Sequence, residues 1–322
     1  MHVIAACVLA LGYAARQARA SQGDASAAFQ SCVVGCRTSP ACQHAARVLF
    51  VVPWSCEDEC RYQCMHEIES RRVHGPAVQY FGKWPFNRFL GVQEPLSTLF
   101  SLLNGFPHLR ELVVRERRRR YVPEGGDPAY RVLLLAGCVV GVNTWLWSAV
   151  FHAKDTWWTE RLDYHFATVH MGTMLLLAVG RLALLFQPTR VRSILVATSL
   201  VTLGGIARHV WWLNAVHFDY GYNMLVTGIV VVAQALTWVA WAAAARTRGA
   251  AHWWMVCVFQ ACLLGFASFE AFDFPPVGGW LDAHAVWHGL TVPLVFLWYQ
   301  FQEADAKWRV KHDDVKAKDV NI

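Results

Sequence analysis

The sequence predicts an all-α membrane protein: a seven-transmembrane helix bundle preceded by a small N-terminal disulfide-rich lumenal domain. Three observations predict it. The 322 residues are 55% apolar and 16% charged, against roughly 45–50% and about 25% in ordinary globular chains, and the mean hydropathy is +0.27. Six cysteines, Cys32, Cys36, Cys42, Cys56, Cys60 and Cys64, crowd into one polar stretch near the N-terminus. From about Arg88 onward, apolar segments alternate with short polar or basic connectors. Sixteen tryptophans fit the same class, because indoles favour bilayer interfaces. This balance excludes a disordered chain and disfavours an ordinary soluble enzyme. A net charge of +6 is small for the length and argues against a nucleic-acid partner.

Residues 1–20 read as a signal peptide. Val3 to Ala15 is a short apolar run, followed by Ala18-Arg19-Ala20, whose small alternate residues suit cleavage before Ser21. The run is shorter than the about 20 residues a span needs, which favours a cleaved leader over a retained anchor, although only His2 stands where a basic start is usual. Residues 21–87 follow as a cysteine-rich lumenal domain. An even number of closely spaced thiols after a leader reads as a disulfide framework in an oxidising compartment, and six cysteines leave the connectivity open. A zinc knuckle is the competing reading, but the stretch lacks CxxC pairs. Cys138, Cys257 and Cys262 lie in apolar stretches and read as packing residues.

Residues 88–303 form the predicted bundle, with spans near 89–109, 132–151, 164–186, 193–213, 222–244, 253–272 and 284–301. Glu94 and Pro95 fall inside the first. It is therefore either a tilted or broken helix with polar groups facing the bundle, or a re-entrant segment. If the cysteine-rich region is lumenal, cationic residues should gather in connectors one, three and five and in the tail. They do: Arg115 and Arg117 to Arg120, Arg190 and Arg192, Arg246 and Arg248, and Lys307, Arg309, Lys311, Lys316 and Lys318. Residues 304–322 are then a basic cytosolic tail, and the arginine run at 117–120 is a topological signal.

Ionisable residues in membrane helices are costly and mark candidate sites. The second span ends in Ser148-Ala149-Val150-Phe151-His152, and the seventh opens with His284-Ala285-Val286-Trp287-His288. A spacing of four puts each pair on one helical face, a turn apart. Asp163 opens the third span eleven residues after His152. With the predicted topology all five residues lie at one depth near the lumenal leaflet. Either pair alone is unremarkable among 14 histidines; five convergent residues are not. Three histidines with an open position is the usual pattern of catalytic zinc. His152, His284 and His288 are accordingly the candidate metal ligands. Asp163 is a candidate to orient or deprotonate water or to complete the shell, and Ser148 a candidate second partner or oxyanion donor. The same donor set also suits other transition metals. His165, His170, His209 and His217 read as packing or interfacial residues. Glu270, Asp273 and Asp282 lie at the same face, within reach of a supporting role.

These residues resemble the CREST superfamily of seven-transmembrane hydrolases, with its Ser-x3-His, Asp and His-x3-His constellation. The whole chain after the leader is more closely similar to the post-GPI-attachment-to-proteins factor 3 family, the Per-like GPI lipid-remodelling proteins. The matching stretches are Trp54-Ser55-Cys56-Glu57-Asp58-Glu59-Cys60-Arg61-Tyr62-Gln63-Cys64, Gly82-Lys83-Trp84-Pro85-Phe86, Gln93-Glu94-Pro95, Trp147-Ser148 through Phe151-His152, Phe272-Asp273-Phe274-Pro275-Pro276, and Leu281-Asp282-Ala283-His284 through Trp287-His288. The resemblance implies zinc-dependent, phospholipase A2-type removal of the sn-2 acyl chain from GPI-anchored proteins in the lumenal leaflet of the ER or Golgi. Its zinc ligands would be His152, His284 and His288, with Asp163 and Ser148 completing the site. A ceramidase-like amide hydrolase and a non-catalytic receptor or cargo factor are the alternatives. The cysteine-rich domain argues against the first.

Overall fold

A computed structural model of the protein describes residues 22–39, 42, 52–121 and 127–319. The expected leader, 1–20, lies outside the described residues, as do the side chains of the arginine run at 117–120 and of Lys311, Lys316 and Lys318 in the tail. Among the described residues the secondary structure is helical, apart from three isolated bridges at turns.

Two short helices come first, α1 (Ala27–Arg37) and α2 (Cys56–Ser70). Ser26 caps α1, its hydroxyl accepting from the Phe29 amide. Ser55 and Asp58 close a reciprocal capping box on α2, satisfying two of the amides a helix start leaves unpaired. Disulfides join Cys32 to Cys64, Cys36 to Cys60 and Cys42 to Cys56. The pairing follows from helical period: Cys32 and Cys36 sit one turn apart on α1, Cys60 and Cys64 one turn apart on α2, and antiparallel packing brings first to last. With so small a core, Phe29, Val33, Cys64 and Tyr80, covalent links must supply much of the stability. Cys36→Ser, which opens a loop of 24 residues' separation, is expected to cost about 2–5 kcal/mol. Thermal denaturation of purified protein, followed by protease resistance of the 22–80 region, measures it. Cys138, Cys257 and Cys262 form no disulfide among the described residues; the first is buried in the bundle core, where its Sγ accepts from Tyr299 Oη at 3.5 Å, and the other two pack against that core.

The remaining helices are α3 (Pro95–Tyr121), α4 (Pro128–Ala153), α5 (Trp157–Phe186), α6 (Val191–Ala215), α7 (Tyr220–Thr247), α8 (Trp253–Phe266), the short α9 (Ser268–Phe272) and α10 (Ala283–Asp319). Five stretches are long and apolar enough to cross a membrane: Pro128–Ala153, Trp157–Phe186, Pro188–Ala215, Tyr220–Thr247 and Trp253–Glu270. The seven-span count includes α3 and α10, which fall outside this set for a chemical reason. Helix α3 carries Ser97, Ser101, Asn104 and His108 on its buried side, each 3% exposed or less, and α10 carries His284 and His288 in its first two turns. The polar groups that lower their hydropathy face inward, between helices.

The first segment forms a helix with polar groups facing the bundle, as one of its two readings has it, and that helix is unbroken through Pro107. It starts at Pro95 rather than at 89, since proline is preorganised for a first helical position, and residues 89–92 make a tight turn with Leu90 and Gly91 at positive φ. Helix α10 runs without a break past residue 303. Helix α3 packs on α4 and α10, α5 on α4, α6 and α7, and α8 on α7 and α10. At one end of the bundle Trp238, Trp241, Trp298 and Phe301 form the core, beside a buried bidentate pair between Arg181 and Asp305 at 2.7 and 2.9 Å. The histidines lie toward the opposite end, where α4 finishes and α5 and α10 begin.

Candidate metal centre

Each helix that contributes to the centre is fixed at its end. The Asp282 carboxylate accepts from the Ala285 amide at 2.7 Å, capping α10; His284 and His288 then stand on consecutive turns of one face. The Gln93 and Glu94 amides donate to the carbonyls of Ala153 and His152 at 2.9 and 3.0 Å, so the chain entering α3 closes the open end of α4. A Thr156–Thr159 capping box starts α5, and Asp163 follows in its second turn.

The structure brings His152, His284 and His288 together, with their ligand nitrogens within 4.8 Å of one another. His284 Nε2 lies 3.3 Å from His152 Nε2 and 2.9 Å from His288 Nε2. The other nitrogen of each ring is already engaged. His152 Nδ1 meets Glu94 Oε2 at 2.7 Å, His284 Nδ1 meets Glu270 Oε2 at 2.6 Å, and His288 Nδ1 meets Ser101 Oγ at 3.1 Å. The network assigns the tautomers. A carboxylate only accepts, so the first two rings carry their proton on Nδ1. Ser101 donates its single proton to the Ser97 carbonyl at 2.8 Å and must accept from His288 Nδ1. With all three rings neutral, the Nε2 lone pairs face one another. In that state, nitrogens 2.9–3.3 Å apart repel until a proton or a metal ion lies among them, and two ligands at 2.0–2.1 Å from a tetrahedral zinc stand roughly 3.3–3.4 Å apart. The residues present fit a zinc-type ion, with the carboxylate–histidine support usual around such ligands.

Asp163 is half-buried and close enough to interact with Ser148 and with His284. Ser148 is 4% exposed, and its Oγ lies 3.1 Å from Ser101 Oγ. Five predicted residues thus share one neighbourhood, three with converging nitrogens and two beside them. Among the other candidates, Glu270 supports His284, Asp282 is a helix cap, and Asp273 accepts from Gln79 Nε2 at 3.0 Å and Trp84 Nε1 at 2.8 Å. His165 and His209 pair with Asn214 and Asn223, and His170 packs on His108.

Three residues escaped the sequence reading as site components. Glu94 was visible only as an acid in an apolar segment, and its partner is not evident from spacing because 58 residues separate it from His152. Ser101 is one serine among several on its helix. Lys83, inside the Gly82-Lys83-Trp84-Pro85-Phe86 stretch, places Nζ 2.6 Å from Glu94 Oε1 and 3.8 Å from Asp155 Oδ2. Burial works against its charge, but Glu94 and Asp155 outweigh it and hold Lys83 above the ordinary lysine value. It is a fixed cation anchoring the carboxylate that holds His152.

Comparison with known proteins finds relatives along nearly the whole chain. The model of the Per1-like family matches residues 46–306. A mouse protein named GPI-specific phospholipase A2-like PGAP3 is 36% identical over 325 residues, covering 97% of each chain. The human protein of that name is 36% identical over 327 residues, covering 98% of each. A Drosophila melanogaster protein named post-GPI attachment to proteins factor 3 is 34% identical over 318 residues, covering 93% of this chain and 94% of that one.

Proposed function

Because the chain belongs to the Per1-like family, we propose that it remodels GPI anchors as a metal-dependent phospholipase A2, hydrolysing the sn-2 acyl ester of GPI-anchored proteins from the lumenal side of an ER or Golgi membrane. The names of its relatives support the substrate. The observation that carries the chemistry is the clustering of three histidine ligand atoms within 4.8 Å of one another, with His284 Nε2 at 3.3 and 2.9 Å from the Nε2 atoms of His152 and His288. His152, His284 and His288 are the metal ligands in this reading. When bound, zinc supplies the Lewis acidity that polarises an ester carbonyl and acidifies a water.

The chain's own residues do the rest. Glu94, Glu270 and Ser101 hold the imidazoles in one tautomer and one orientation, so the ligand set costs no reorganisation during the reaction. Asp163, beside Ser148 and His284, takes the proton of the attacking water and returns it to the leaving alkoxide of the lipid. Ser148 orients the Asp163 carboxylate or donates to the developing oxyanion. In this topology α3 and α10 cross with the other five, the helix pair α1–α2 lies in the lumen, and the sn-2 ester, just below the headgroups, is at the depth of the three histidines.

The test is fatty-acid release by purified full-length protein from a GPI lipid bearing a labelled sn-2 chain. Activity is expected to disappear on treatment with a strong zinc chelator and to return on adding zinc, since the ligands are neutral imidazoles rather than a covalent nucleophile. Activity indifferent to chelation would overturn the metal reading. Release of sphingoid base from ceramide in place of fatty acid would point to an amide hydrolase, and turnover of neither lipid to a receptor or cargo factor.

A further inference from the structure

A cleft of about 350 Å³ lies between α2, residues 80–93 and the start of α5. Its volume falls in the roughly 300–1,000 Å³ range of small-molecule sites, and no step of the hydrolysis uses it. The cations that line it are committed elsewhere. Arg61 pairs with Glu57. Arg88 holds Glu59 at 2.5 Å and lies over the Trp54 ring at 3.5 Å. Lys83 is bound to Glu94.

What faces the cleft with capacity left is of two kinds. The rings of Phe81 and Trp157 are 51% and 52% exposed, each with a guanidinium over one face, Arg61 at 4.8 Å and Arg161 at 4.0 Å, and the remaining ring surface open. The carboxylates of Asp155 and Glu160 find their nearest cations, Lys83 and Arg161, only at 3.8 and 3.7 Å, beyond hydrogen-bond length. Burial holds the Asp155 carboxyl above the ordinary aspartate value even with Lys83 nearby. Aromatic faces next to acceptor oxygens suit a ligand with apolar ring faces and hydroxyl or ammonium donors on its edges, which describes an amino sugar. A bare phosphate would meet carboxylates there.

The cleft is joined to the candidate centre through two hydrogen bonds, Lys83 Nζ to Glu94 Oε1 at 2.6 Å and Glu94 Oε2 to His152 Nδ1 at 2.7 Å. In a glycosylated inositol phospholipid the sn-2 ester is likewise only a few bonds from the phosphate, with inositol and the first sugar just beyond. We propose that this cleft is the headgroup subsite, taking the amino-sugar–inositol portion of the glycolipid against Phe81 and Trp157, with its donors on Asp155 and Glu160. The proposal rests on the hydrolase reading above and extends it to the part of the substrate that is recognised.

Solubilised full-length protein is titrated with synthetic glucosaminyl-inositol phosphate and, separately, with inositol phosphate, binding being followed by calorimetry. Wild type is expected to bind the amino-sugar probe about tenfold or more tightly than inositol phosphate, and Trp157→Ala and Glu160→Gln each to remove about tenfold of that preference, a charge-assisted hydrogen bond or a stacked ring being of that size. Both variants should raise KM for the glycosylated lipid and leave kcat in place. Glu160→Gln keeps side-chain shape and so remains informative if Trp157→Ala fails to fold. Equal affinities for the two probes, or variants that keep the wild-type preference, would overturn the cleft assignment even in an active hydrolase. Selective binding lost in the variants, with no fatty acid released by wild type, would retain the cleft and overturn the hydrolase reading.

Discussion

Replacing His288 by alanine is expected to abolish metal binding and sn-2 deacylation together while leaving the helices assembled. His288 Nε2 stands 2.9 Å from His284 Nε2, and without it two imidazoles remain where a catalytic zinc site uses three protein ligands. The loss should exceed the roughly 10–100-fold that removal of an orienting partner costs. The side chain is 2% exposed, so some stability is lost too, and a melting curve on the same sample separates unfolding from loss of the ion. The decisive comparison is the sn-2 chain on GPI anchors from cells lacking the protein, complemented with wild type or with His288→Ala, alongside metal content of the purified proteins. Restoration by wild type alone supports the zinc hydrolase. Equal rescue by both sinks it and favours a receptor or cargo factor. His152→Ala and His284→Ala should behave alike, because each supplies an equivalent nitrogen.

The second large effect concerns Lys83 and Glu94. Glu94 is 3% exposed and accepts from both Lys83 and His152. Lys83→Met keeps the apolar stem but leaves a buried carboxylate without its ammonium, which is expected to cost about 3–5 kcal/mol. Glu94→Gln loosens the His152 ring and leaves Lys83 only Asp155, at 3.8 Å, and should weaken metal affinity by about 10–100-fold. The double variant removes both charges and should be less destabilised than the sum of the singles. Melting of the four proteins in detergent measures the coupling, and additivity within about 0.5 kcal/mol would show the pair to be independent. The pH dependence has a definite sign. A lysine held above its unfolded value, near 10.4, gives its full stabilisation below that value and loses it only as pH rises through the higher folded one. Wild-type stability should therefore show no Lys83 transition between about pH 6 and 9.

Much of this was legible in one dimension because the relevant patterns are short. Helical spacing of four pairs Ser148 with His152, and His284 with His288, and the same spacing sets Cys32 with Cys36 and Cys60 with Cys64. Apolar runs mark membrane-capable helices directly, as α4 to α8 show. Hydropathy is less telling where polar groups line a helix: the histidines of α10 and the buried serines, Asn104 and His108 of α3 lower the hydropathy of segments that nevertheless form long helices.

The sequence by itself determined the all-helical class, the cysteine cluster, and the histidine, serine and aspartate positions that local periodicity can align. Only the tertiary structure decided which cysteine meets which, that helix α3 begins at Pro95, and that Glu94, Glu270 and Ser101 each hold one imidazole. Glu94 and His152 are 58 residues apart, and Ser101 and His288 are 187 apart. Contacts at such separations have no period in the chain. They arise when α3, α4 and α10 pack side by side and a buried polar group must find whatever partner the neighbouring helix presents.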